Sequence, residues 1–316
     1  MPEVITLGET MVVFDSLSKG KLRYSQNYEC HIGGAETNTA VALVKLNHSA
    51  GWISKLGNDE FGAKIKNTVA GEGVEVCQVL MDDNAPTGIF FRQRLENGES
   101  RNFYYRKGSA ASTMTPDLID LNYLKSGKIL HVSGITPGLS EEAEETTEYA
   151  MAAAKESGLL VSFDPNLRLK VWRLEQARRT TNRLMKYADI VFPGREEGRL
   201  LYGTEDPDEI ARQMMAYGAG TVVVKIGEQG CIGYENKKKC YSKGFRAERA
   251  VDTFGAGDAF AAGYLCGVLE GAEMETCLAL ANAVGAFSVT LKGNIESYPS
   301  REELDAFMSG KVSCNR

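Results

Sequence analysis

The sequence predicts an α/β protein: a doubly wound, Rossmann-like three-layer domain carrying a small β-sheet as a lid. Short β-like runs alternate with helical patterns along most of the 316 residues. Several of these runs are continuously apolar, as strands buried on both faces of a parallel sheet are. Two stretches, 11–32 and 87–106, interrupt the alternation with β-type residues and no crossover helix.

Strands are expected at "VITLG" near residue 4, "AGWISKLG" from Ala50, "KILHVSG" from Lys128, "LLVSFDP" from Leu159, "DIVFPG" from Asp189 and "TVVVKIG" from Thr221. Between them, "AETNTAVALVKLN", "DEFGAKIKNTVAGEG", "SEEAEETTEYAMAAAKESG" and "LEQARRTTNRLMKYA" have helical spacing. The acidic start of the third places carboxylates near a helix N-terminus on a solvated face. In the second irregular stretch, "TGIFFRQRLENGESRNFYYR" reads as a hairpin turning at Asn97-Gly98. Basic "NKKKC" around Lys237–Lys239 reads as an exposed turn. The expected organisation is a core of 1–10, 33–86 and 107–316 with a discontinuous lid of 11–32 and 87–106, placed to close over a site at the strand ends.

Composition narrows the function. With 43% hydrophobic and 25% charged residues the chain resembles a soluble globular protein. A net charge of −6 argues against a general nucleic-acid or anionic-membrane surface. A few local arginines still suffice for an anionic small substrate. Seven cysteines without a C-x-x-C pair form no metal or disulfide pattern and fit a reducing cytoplasm. "MPEVITLGET" has no signal-peptide pattern, and no stretch approaches the roughly 18 apolar residues of a membrane span. A cytoplasmic protein is expected.

The chemistry concentrates in "AVDTFGAGDAF", Ala250–Phe260. "AAGYLCGVLEG", after Asp258, is apolar at helical spacing, so a helix begins within Gly255-Ala256-Gly257. Small residues there let a ligand approach the backbone, and the first free N–H groups of a helix attract anions. A glycine turn ahead of a buried helix explains the glycines equally well. Asp258 in the first turn, with Asp252 and Thr253 before the loop, favours function: an acid beside an anion hole can take a proton from an attacking hydroxyl. There is no G-x-x-x-x-G-K-[ST] run, so this is no P-loop protein. Gly227, Gly230 and Gly233 of "KIGEQGCIG" precede a β-like segment, which makes them weak as a dinucleotide fingerprint.

Together, "DTFGAGDAF" and "IGGAETNTAVALVKLN" resemble the two signatures of the PfkB/ribokinase family of sugar kinases. "KLGNDEFG", "KIGEQG" and "LANAVGAFSVTLKG" extend the likeness end to end. "GGAETN", "FYYRKGSAAS" and "FDPNLRLKVW" are most similar to the branch acting on 2-keto-3-deoxygluconate. The resemblance implies a ribokinase-type fold and transfer of the ATP γ-phosphoryl to a sugar hydroxyl, here the 6-hydroxyl, with Mg²⁺ and room for a monovalent cation. Carried over by position, Asp258 is the catalytic base and Gly255, Ala256 and Gly257 form the anion hole. Gly34, Asn38, Phe90, Tyr104, Arg106 and Arg168 face the sugar. Asn166, Lys225, Gly227, Gly230, Thr253, Gly255 and Gly257 lie on the nucleotide side, with Asn282 near the adenine and Glu197 for the metal. Two departures stand out: Phe90 where related enzymes often carry tyrosine, and Gly194 where the family's N-x-x-E has its asparagine.

Arginine pairs bidentately with carboxylates, so Arg106 and Arg168 favour a sugar acid over a neutral sugar. Tyr104 and Tyr105 alternate on a strand; Tyr104 is expected to face the sugar and Tyr105 to pack. Without the Gly-Gly preceding it, Asn38 could equally cap its helix. His31, His48 and His131 have no ligand spacing and read as core or surface residues. The rival functions are a ribokinase- or fructokinase-like kinase of a neutral sugar and a catalytically weak sugar- or nucleotide-binding protein. The expected partners are a sugar acid, ATP and further copies of the chain, the lid edge being able to pair across a dimer.

Overall fold

The apolar runs pair into one twisted sheet, and the two irregular stretches into another. The computed structural model of the chain describes residues 1–95, 100–245 and 250–310. Its strands are β1 (Val4–Leu7), β2 (Met11–Lys19), β3 (Tyr28–Gly33), β4 (Ala50–Gly57), β5 (Val79–Asp82), β6 (Ile89–Arg94) and β7 (Ser100–Tyr105). They continue with β8 (Ile129–Ser133), β9 (Leu160–Asp164), β10 (Ile190–Val191), β11 (Thr221–Lys225), β12 (Gly230–Glu235) and β13 (Lys238–Lys243). The large sheet has the order β13-β12-β11-β10-β9-β8-β1-β4-β5, and the small one β3-β2-β6-β7. From β11 to β5 the large sheet is parallel, while β12 and β13 close one edge antiparallel.

The helices are α1 (Ala35–Lys45), α2 (Glu60–Gly71), α3 (Leu121–Lys125), α4 (Glu141–Glu156), α5 (Leu174–Leu184), α6 (Arg195–Tyr202), α7 (Pro207–Ala216), α8 (Ala256–Leu269), α9 (Met274–Ser288) and α10 (Arg301–Met308). Strand residues alternate between two cores. Val4, Trp52, Ile129 and Val223 pack under α1, α2, α8 and α9, while Ile5, Ile53, Leu130 and Val222 pack under α4, α5 and α7. Both faces being covered is why these strands have no polar alternation. The C-terminal ends of β1, β8, β9 and β11 therefore meet along one crest, where open parallel sheets place ligands.

The two stretches without crossover helices form the small sheet. β6 and β7 pair antiparallel with Phe90 opposite Tyr104; the turn expected at Asn97-Gly98 lies outside the described residues. The turn in "NKKKC" is at Asn236-Lys237, and Lys238 and Lys239 already belong to β13. Among the described residues no helix is long and apolar enough to cross a membrane.

One buried ion pair joins the lid sheet to the core. Arg92 of β6 donates to both carboxylate oxygens of Asp252, at 2.7 and 2.6 Å. Its guanidinium carbon stands 5.2 Å from the centre of the Phe254 ring, within cation–π reach. Neighbouring Arg94 donates to Asp15 at 2.9 Å. Burial pushes the Asp252 carboxyl upward, but Arg92, the Phe254 N–H and Arg94 outweigh it and hold the carboxyl below its ordinary range. Arg92→Ala would leave the buried Asp252 only the more distant Arg94, at 3.4 Å, and the Phe254 N–H, at 3.2 Å, a loss expected to cost about 3 kcal/mol, read as a lower urea midpoint. An unchanged midpoint would show that the pair does not hold lid to core.

Candidate active site

α8 begins at Gly255, whose φ of 76° places it in the left-handed region that glycine enters without penalty. A Cβ here would strike the Asn294 amide oxygen and the Tyr298 hydroxyl. Tyr298 in turn donates to the Gly255 carbonyl at 3.1 Å, which fixes the turn. Two residues on, a Cβ on Gly257 would meet only the Lys225 Nζ, at 3.8 Å. The space before the helix start is thus open, with an ammonium beside it, which is the arrangement that receives an anion.

Asp258, in the first turn, is buried, and its Oδ2 accepts the Asn38 amide N–H at 2.6 Å. Burial pushes its carboxyl up to about 7; Asn38 and Arg168 work against that, while Asp164 and Glu36 add to it. Glu36 is itself pushed up by burial, although Ser133 and Thr136 hydroxyls donate to it at 2.7 and 2.8 Å. A carboxyl poised near neutrality suits a general base.

Lys225, at the end of β11, donates to Asp164 of β9 at 2.9 Å. Burial opposes its charge, but Asp164, Glu197 and Asp258 outweigh burial and raise its affinity for the proton. The Asn166 N–H, held by a φ of 38°, donates to the other Asp164 oxygen at 3.1 Å. Glu197 folds back to accept the Gly194 N–H at 2.9 Å. A Cβ at 194 would lie 2.6 Å from that carboxylate oxygen, so the glycine makes room for the fold-back. Asp164, which accepts from Lys225, and Glu197, whose charge also reaches that lysine, are hard oxygen donors that fit a Mg²⁺ ion taking one or two carboxylates and completing its shell with water and phosphate.

The remaining expected site residues fall into three groups. Gly34 caps α1 against the backbone of Glu9 and Thr10, and Asn38 faces Asp258. On the lid, Phe90 is buried with its ring 5.2 Å from that of Tyr104, while Tyr105 turns outward and is 65% exposed. Arg106 lies 5.6 Å over the Tyr104 ring and is ion-paired with Glu9 at the end of β1. Arg168 is exposed and, among the described residues, its guanidinium has no partner. Thr253 is exposed on the loop before α8, and Gly227 has open space around it. Two residues sit in structural contacts: Gly230 presses against the Ser242 carbonyl, and the Asn282 amide donates to the Ser242 carbonyl and hydroxyl at 3.1 and 3.0 Å.

Glu9, Asp164, Lys170, Asn294 and Tyr298 were missed from the sequence. An acid at the end of a parallel strand was the available signal for Glu9 and Asp164. Lys170 donates to the Asn102 carbonyl at 2.8 Å and stands 5.6 Å from the Tyr104 ring, tying the β9 loop to β7; no motif marks it. Of the histidines, His131 is buried and pushed down to about 3, and His31 and His48 contact surface carboxylates.

A buried carboxyl in the first turn of a helix whose start is open to an anion, beside a small sheet, has the features expected of an enzyme that moves a phosphoryl group onto a hydroxyl. The chain belongs to the pfkB family of carbohydrate kinases, whose model matches residues 1–301. It is 37% identical over 312 residues to the 2-dehydro-3-deoxygluconokinase of Bacillus subtilis (strain 168), covering 98% of this chain and 96% of that one. Fructokinase-2 of Solanum lycopersicum is 30% identical, with 97% and 96% covered. An E. coli protein provisionally called ribokinase II, solved in complex with ATP and Mg²⁺, superposes with a TM-score of 0.89 at 26% identity, covering 98% of this chain and all of that one.

If Asp258 is the base, kcat falls as pH drops through about 7, because the protonated carboxyl cannot accept. Asp258→Asn should lose roughly 10²–10⁴ in kcat and abolish that acidic limb, with ATP affinity little changed. Near-normal turnover in the folded variant would refute the assignment. Gly257→Val puts a branched side chain into the open space beside Lys225, so a folded protein without turnover is expected. Unchanged kinetics would make the loop a structural turn.

Proposed function

We propose that this chain is an ATP-dependent sugar-acid kinase that converts 2-keto-3-deoxygluconate to 2-keto-3-deoxy-6-phosphogluconate. One observation carries the choice of an acid: Arg168 presents an unpaired guanidinium whose charge reaches Asp258. A substrate carboxylate satisfies that cation, and a neutral sugar leaves it without a counter-ion. Arg106, already met by Glu9, contributes less net charge and holds Tyr104 toward the sugar. The likeness to a 2-dehydro-3-deoxygluconokinase supports the substrate, and the ATP and Mg²⁺ bound to the ribokinase relative support the phosphoryl donor.

In this reading the sugar hydroxyl lies against Asp258, which accepts its proton as the bond to phosphorus forms. Backbone N–H groups of residues 255–257 and the Lys225 ammonium receive the negative charge of the moving group. When bound, Mg²⁺ supplies charge neutralisation to the phosphates. The lid keeps water from taking the phosphoryl group.

Two named relatives prefer different sugars, so the test compares substrates. Compared at pH 9, above the Asp258 titration that Arg168 also influences, Arg168→Ala should lower kcat/KM for 2-keto-3-deoxygluconate by roughly tenfold to more than a hundredfold and leave fructose or ribose turnover nearly untouched. Arg168→Lys should recover part of the loss, an ammonium lacking the two-pronged geometry. Equal losses on acid and neutral substrates would transfer the assignment to a fructokinase-like enzyme.

A further inference from the structure

Asn38 reaches Asp258 through its amide nitrogen, and an asparagine amide can face either way at equal steric cost. What decides the direction lies 256 residues away in sequence. The Asn294 Nδ2 donates to the Asn38 Oδ1 at 2.6 Å and to the Ile32 carbonyl at 3.1 Å. The Tyr298 hydroxyl, 3.2 Å from the Asn294 Oδ1, has one proton to divide between that oxygen and the Gly255 carbonyl, so the Ile32 carbonyl is what fixes the Asn294 direction. Reversing Asn294 would set its oxygen against two acceptors. Reversing Asn38 would set one amide nitrogen against another and an oxygen against the Asp258 carboxylate. Neither flip is tolerated, so the chain Asn294–Asn38–Asp258 has one polarity. Asn294 is buried, and its own N–H is held by Glu296 at 2.9 Å, which in turn contacts His31 of β3 at 2.9 Å.

We propose that Asn294 is a positioning residue for the base: it fixes which way the Asn38 amide faces and so keeps an N–H directed at the Asp258 carboxylate. This rests on Asp258 being the base. The charged and titratable groups around Asp258 are Glu36 of α1, Asp164 at the end of β9, Arg168 in the following loop, Lys225 of β11 and the Tyr298 hydroxyl. Glu36 and Asp164 disfavour its ionised form and Arg168 favours it, and after burial the Asn38 donor is the largest influence, acting to lower the pKa of this buried carboxyl.

The test is the pH dependence of kcat in Asn294→Asp and Asn294→Leu. The new carboxylate attracts the Asn38 amide nitrogen to itself and turns an oxygen toward Asp258, which ionises only after losing that repulsion at higher pH. The acidic limb should move up by about one pH unit, with turnover at pH 6 down about tenfold and turnover at pH 9 close to wild type. Asn294→Leu, which only removes the steering, should move the limb the same way by less. If the limb stays at its wild-type position in a folded variant, or kcat falls equally at every pH, Asn294 is structural and the inference fails. If neither variant folds, Asn294→Ala, which removes the steering amide and inserts nothing in its place, must move the limb upward, and a stationary limb overturns the inference. Asp258→Asn separates this from the base assignment. Turnover persisting there removes the base itself, whereas a dead Asp258→Asn beside an unmoved limb removes only the role of Asn294.

Discussion

A carboxylate taken out of water at the start of a helix is the constraint on which the site depends. An ionised group in that position is costly unless donors and cations meet it, and the chain supplies them from distant places. The amide of Asn38 comes from α1, the charge of Arg168 from the loop after β9, and Lys225 from the end of β11, while Asp164, which holds that lysine, works against the ionised form. Each arrives because a parallel sheet collects its C-terminal ends on one side. The left-handed Gly255, braced by Tyr298, then aims the helix at the space these groups enclose.

In the proposed function the same groups let an anion site and a base lie side by side without cancelling. Lys225 lies within reach of Gly257 but spends its shortest contact on Asp164, so its charge is shared between strand and ligand space. Glu197, folded onto the Gly194 N–H, adds negative charge on the far side. The site is thus a graded field, acidic toward β9 and the helix α6 start, cationic where a transferred phosphoryl group would pass.

Much of the fold was legible because both sheet faces are buried. "ILHVS" and "TVVVK" stand out as largely apolar runs without in–out alternation for that reason, and "AGWISKLG" matches β4 residue for residue. β5 was not, since Leu80 and Met81 face solvent at the sheet edge, and the five residues of α3 are too few to show a period. At the site, Gly255 to Asp258 are neighbours in the chain, so their chemistry could be read locally. Asn294, Lys170 and Glu9 could not, because their partners are set by the topology. Residue type also conceals direction: Asn38 reads as a sugar contact, yet its amide is engaged at both ends by protein groups, and Arg106 reads as a free cation but is matched by Glu9.

The bidentate grip of Arg92 on Asp252 makes the roof and the phosphate loop mechanically one piece. β6, which carries Phe90, also grips, two residues later, the loop that in the proposed function becomes the anion hole. In that reading a movement of the small sheet that accommodates one substrate displaces the cradle of the other. Free energy exchanged between the two binding events through such a shared part must be the same in both directions: whatever affinity the sugar confers on the nucleotide, the nucleotide returns to the sugar.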